Sequence, residues 1–107
     1  DVQLLEHAGG KGAAVFMELR QLQYFVKVAK LQHVTKAAEE LHVAQSAVSR
    51  QIHRLEVELG VRLFMQRGRN VQLTSVGQLF LRRAESILTD IDRAVLEIQE
   101  FVDPEVG

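Results

Sequence analysis

Apolar residues recur at intervals of three and four through Leu19, Leu22, Phe25, Val26 and Ala29, which gathers them on one stripe of a first helix from Glu18 to Lys30. The period breaks over Leu31 to Val34, and Thr35 is placed to act as the N-cap of a short second helix from Lys36 to about His42. Ala37 and Ala38 leave room for a neighbouring helix to come close, and Leu41 continues the apolar stripe. A turn at His42, Val43 and Ala44 leads into a third helix from about Gln45 to Leu59, with Gly60 supplying a left-handed stop. At about 100° per residue, Val48, Ile52, Leu55 and Leu59 cluster on one side of that helix. Gln45, Ser46, Ser49, Arg50, His53 and Arg54 fan over the other. A short helix, a tight turn and a longer helix with a polar outer face form a helix-turn-helix pattern, at about residues 34–53.

Beyond Gly60 the period changes. Leu63, Phe64 and Met65 suit a strand, Gly68 and Asn70 mark a turn, and Val71, Gln72 and Leu73 suit a returning strand, which makes a small wing over 63–73 with Arg67 and Arg69 at its tip. Thr74 then caps a fourth helix, residues 75–102, and the absence of proline before Pro104 lets it run about 42 Å. Phe80, Ala84, Ile87, Ile91, Ala94, Ile98 and Phe101 follow one another at alternating intervals of four and three, the spacing by which two helices mate along a seam. Leu81, Leu88, Val95 and Val102 flank that seam. The first turns can pack on their own domain, but a core of about 58 residues has too little surface to cover the whole rod, so a homodimer is expected.

The composition, 47% hydrophobic and 25% charged in 107 residues, is that of one small globular domain. Without cysteine there is no disulfide framework, thiol nucleophile or cysteine-based metal site, which fits a reducing cytoplasm. No apolar run is long enough to span a membrane. The net charge of −1 conceals a division: residues 17–74 carry nine basic against five acidic side chains, and residues 75–107 carry three against seven. A basic first segment hints at nucleic acid, although ordinary solvated surface gives the same balance. His33, His42 and His53 lack metal-ligand spacing, and the serines lack a nucleophile setting, so neither a metal site nor an enzyme is expected. Residues 1–16, with Gly9, Gly10 and Gly12 and no sustained period, read as a leader without order, and Met17 as the natural start.

The ordered set Leu22 and Phe25; Thr35, Ala37 and Ala38; Ala44-Gln45-Ser46-Ala47-Val48-Ser49; Leu55-Glu56; Leu63-Phe64, Arg69, Leu73-Thr74 and Gly77 resembles the N-terminal domain of LysR-type transcriptional regulators. The resemblance covers nearly all of residues 17–102. It departs in one place: the family commonly has an arginine two residues after the Leu-Phe pair, where this chain has Gln66, with Arg67 beside it.

The resemblance implies a mainly α, winged helix-turn-helix domain at 17–74, a linker or dimerisation helix at 75–102, and at 103–107 the start of a hinge to a C-terminal effector domain. It further implies a homodimer on an interrupted inverted repeat of double-stranded DNA, A·T-rich in character, and a tetramer in the full-length protein. No cofactor is expected in the fragment itself, while a small-molecule co-inducer is implied for the C-terminal domain, and a cytoplasmic, nucleoid-associated location for the whole. Affinity for DNA comes largely from phosphate contacts, and discrimination from side chains at base edges. Gln45, Ser46 and Ser49 sit near the start of the third helix, Arg50 can offer its fork to guanine, Gln45 can pair bidentately with adenine, and Arg54 suits a phosphate. Thr35 and Lys36 suit the DNA backbone, and Arg67 and Arg69 the minor groove of A·T-rich flanks. Some have a plainer alternative: capping for Gln45, a surface ion pair with Glu58 or a neighbour for Arg50, and solvated turn residues for the wing arginines; for Thr35, capping and contact with DNA are compatible. The seam residues expected to meet a second copy are Phe80, Ala84, Ile87, Leu88, Ile91, Ala94, Val95, Ile98 and Phe101. A helical dimerisation module whose basic face binds an acidic protein partner is the alternative reading.

Overall fold

The computed structural model describes residues 16–103 and Glu105; the leader expected at 1–16 lies outside them apart from Phe16, as does the hinge expected at 103–107 apart from Asp103 and Glu105. The elements run α1 (Leu19–Leu31), α2 (Val34–Leu41), α3 (Gln45–Leu59), β1 (Phe64–Arg67), β2 (Asn70–Leu73) and α4 (Ser75–Val102). At the start of α1 the Glu18 backbone N–H donates to Gln21 Oε1 at 2.9 Å, which gives the buried Gln21 side chain a partner. Gln32, left-handed at φ 55°, ends the helix.

The second helix begins earlier than its pattern predicts. His33 is the N-cap, and its Nδ1 accepts from the Lys36 N–H at 3.1 Å; Thr35 lies inside the first turn. The extended backbone of His33 brings its imidazole to the first orphan N–H groups, so the cap assigned to the Thr35 hydroxyl is already made. His42 and Gly60, both left-handed, close α2 and α3.

The wing is an antiparallel pair with Phe64 opposite Leu73 and Arg67 opposite Asn70. Gly68 and Arg69 form its two-residue turn, with positive φ at Gly68 alone, the arrangement of a type II′ hairpin. Phe25, Val28, Val48, Leu55 and Leu63 are fully buried and form the centre of the core. Phe25 joins the layers, its ring 5.4 Å from that of Phe64 and 5.0 Å from that of Phe80.

Two joints hold wing and linker to the helices. Glu56, near the end of α3, accepts through Oε2 from the N–H groups of Leu63 (2.7 Å) and Phe64 (3.2 Å), so a carboxylate fixes the entry to β1. Thr74 caps α4 as expected, accepting from the Gly77 N–H at 3.0 Å while its hydroxyl donates to the Arg62 carbonyl at 2.8 Å. Gly77 lies against the Leu63 carbonyl so closely that a Cβ there would overlap it.

The long helix divides into two stretches. Ala84 is fully buried in its own domain, and Phe80, Leu81 and Leu88 pack against the same core. Lys30 of α1 pairs with Glu85 at 3.0 Å. From Thr89 onward every residue of α4 is exposed, including Ile91, Val95, Ile98 and Phe101. The continuous seam is therefore corrected at Ala84, which is closed off in the intramolecular core, with Phe80 and Leu88 half-buried against the same core, because the helix starts against α1 and rises clear of the domain only after about four turns.

Candidate nucleic-acid interface

The buried Val48, Ile52 and Leu55 seat α3 on the core, and this fixes the opposite face toward solvent. Gln45, Ser46, Ser49, Arg50, His53 and Arg54 are all exposed there. The surface ion pair considered for Arg50 is not formed: among the described residues the ion pairs are Lys27–Glu40, Lys30–Glu85 and Arg62–Glu56, and the buried Glu58 Oε1 has no hydrogen-bond partner. Arg50 and Arg54 thus keep their donors unengaged.

The capping role considered for Gln45 is absent too. Ala44 occupies the N-cap and offers no side-chain acceptor, while the Gln45 amide turns to α2, where Oε1 accepts from the Thr35 hydroxyl at 3.0 Å. Consequently Thr35 and Gln45, ten residues apart, form one polar unit at the corner of the two helices, next to the exposed Lys36. The N–H groups of Gln45 and Ser46 at the start of α3 have no partner among the described residues, an arrangement that favours an anionic neighbour.

A cleft of about 210 Å³ separates α3 from the wing, lined in part by Ser49, His53, Arg62 and Gln66. Gln66 shares the inward face of the ribbon with Phe64, as the period of two requires, and its Nε2 donates to the Gly68 carbonyl at 3.0 Å. Arg67, one residue on, faces the other way, where Nη1 donates to Gln72 Oε1 at 2.6 Å. Arg67 therefore lies on the opposite face of the wing from Gln66, where it braces the ribbon. Arg69 is exposed in the turn itself.

Arg62 was not among the residues singled out from the pattern. Its exposed guanidinium, 3.5 Å from Glu56 Oε2 through Nε, adds a positive group to the cleft. A basic residue between the helix stop and the first strand was the available signal. His53, also in the cleft, had been read only as an outward-facing side chain.

The fold is a winged helix-turn-helix followed by a long projecting helix, and the comparisons place it in a family. Residues 19–78 match the model of the bacterial regulatory helix-turn-helix protein, lysR family, and the chain belongs to that family. It is 53% identical over 91 residues to the transcriptional dual regulator GltC of Bacillus subtilis, spanning 85% of this chain but only 30% of that one. It is 49% identical over 85 residues to a probable nitrogen assimilation transcriptional activator of Synechocystis, covering 79% of this chain and 27% of that one. Among solved structures, the BenM_DBD/catB site 1 DNA complex matches at TM-score 0.79 and 41% identity, covering 81% of this chain and 97% of that one. The CbnR_DBD-DNA complex matches at TM-score 0.77 and 38% identity, covering 80% and 99%. No described helix is long and apolar enough to cross a membrane.

Proposed function

We propose that this chain is the DNA-binding part of a transcriptional regulator and binds double-stranded DNA as a homodimer, with α3 in the major groove and the wing at the minor groove. The observation that carries this reading is the outer face of α3, where two arginines without ion pairs stand among short polar side chains on a rigidly seated helix. The similarity to BenM and CbnR domains solved with DNA supports it.

Arg50 offers its fork to a guanine, while Arg54 and Lys36 neutralise phosphates. Ser46 and Ser49 approach the backbone or a base edge from the start of the helix. Arg69 reaches the minor groove of an A·T-rich flank, with Arg67 supporting the ribbon beside it. A second copy covers the bare stretch of α4, where Ile87, Ile91, Ala94, Val95, Ile98 and Phe101 provide the seam. Two-fold symmetry of the protein then calls for an interrupted inverted repeat. A cytoplasmic, nucleoid-associated location follows from this role. In the full-length regulator, a tetramer and a small-molecule co-inducer acting on a C-terminal domain complete the proposal.

A gel-shift titration against A·T-rich inverted repeats, with scrambled duplex as competitor, tests the reading. Retention that resists the competitor is expected. Uniform weak binding to every duplex would contradict it and favour an acidic protein partner.

A further inference from the structure

We infer that Thr35 sets the base preference of Gln45, by holding its amide so that the NH₂ group, rather than the carbonyl oxygen, meets the DNA. This rests on the proposed entry of α3 into the major groove. The hydroxyl of Thr35, in the first turn of α2, donates to Oε1 of Gln45, the first residue of α3, at 3.0 Å. The Gln45 Nε2 makes no hydrogen bond among the described residues.

A free glutamine presents a donor and an acceptor together, which is the arrangement that pairs bidentately with adenine N6 and N7. Here the acceptor end is held by α2. The amide therefore meets a base edge donor-first, which favours guanine, with acceptors at N7 and O6, or thymine, with its O4, over adenine. Both partners are exposed, so in the free protein water competes for the bond. Docking removes that water, and the bond strengthens as the local dielectric falls. Each partner stands on a seated helix, Thr35 beside the buried Ala37 and Ala38 and Gln45 ahead of the buried Val48, so the two side chains are already within bonding distance when DNA arrives. Thr35 is thus a positioning residue, and its contribution is to specificity.

The test is selection of sites from a random duplex pool by the 107-residue chain and its variants. Gln45→Ala locates the position that Gln45 reads, as the one whose preference relaxes. At that position the unaltered chain is expected to enrich guanine or thymine. Thr35→Val, which removes the hydroxyl at similar volume, frees the amide to turn over and raises the adenine fraction several-fold, while Thr35→Ser keeps the original preference. Adenine enriched by the unaltered chain, or a Thr35→Val profile identical to it, would overturn the inference. So would an equal loss of affinity for all sequences in Thr35→Val, the behaviour of a phosphate contact. Arg50→Ala and Arg54→Ala separate this failure from that of the underlying reading: if they weaken DNA binding while Gln45→Ala relaxes no position, only the role of Thr35 and Gln45 falls. If the unaltered chain enriches no sequence, the entry of α3 into the groove falls with it.

Discussion

The beginning and end of α4 carry the same alternation of apolar residues and meet different surroundings. Ala84 is wholly enclosed by its own domain, whereas Phe101 is 86% exposed. Seam spacing states that a helix face needs cover; it does not say whose surface provides it. What separates the stretches is the length of the rod against that of the domain. Near its start the helix offers Ala84 and Gly77, which let it lie close to the domain, and beyond Leu88 the domain ends. The helix is thereby fastened to the domain at one end, and the other end is left exposed.

One break in this contrast is at the tight joint. Gly77→Ala drives a Cβ into the Leu63 carbonyl, a backbone group that cannot turn aside, so a loss of about 3 kcal/mol is expected in chemical denaturation. A variant that melts like the parent would show that α4 can shift away at little cost.

The same aspartate placed in each stretch gives the sharpest separation. Ala84→Asp buries an unpaired charge and is expected to cost about 3–5 kcal/mol of folding stability. Ile98→Asp, on the exposed stretch, is expected to leave the circular dichroism spectrum unchanged while sedimentation shifts from dimer to monomer. A dimer that survives Ile98→Asp would remove α4 from the interface.

A smaller effect is expected where the wing meets α3. Glu56→Gln keeps an acceptor but loses its charge, so the bonds to the Leu63 and Phe64 N–H groups weaken by about 1 kcal/mol in total, and amide exchange should quicken at those two residues. Unaltered exchange there would mean that the carboxylate contributes nothing to holding the strand. Least of all, Lys30→Ala removes a solvent-screened pair with Glu85 and should change stability by no more than about 0.5 kcal/mol in urea titration.

Much of this architecture was legible in the order of residues, and the exceptions share a cause. The stripe Val48, Ile52, Leu55 foretold the buried side of α3, Gly60 its end, and Thr74 the start of α4, because each depends on neighbours within a turn or two. The cap of α2 is made by His33 rather than Thr35; a histidine ring seldom caps a helix, so its identity carries little capping signal. The bond from Thr35 to Gln45 crosses between helices and depends on how they pack. The clamp by Glu56 was equally hidden: its partners are backbone N–H groups seven and eight residues on, and backbone carries no residue-type signal. On the candidate interface, the exposed face of α3 followed directly from its periodicity, while the opposed directions of Gln66 and Arg67 needed the strand register.

In the proposed complex two copies, joined along the exposed stretch of α4, each lay α3 into one duplex. Sites selected from a random DNA pool test this most directly when the parent chain is compared with Ile98→Asp. The parent is predicted to recover two half-sites in inverted orientation at one fixed spacing, and Ile98→Asp single half-sites with weaker retention. Single half-sites recovered by the parent itself, or an inverted pair retained by Ile98→Asp, would contradict it.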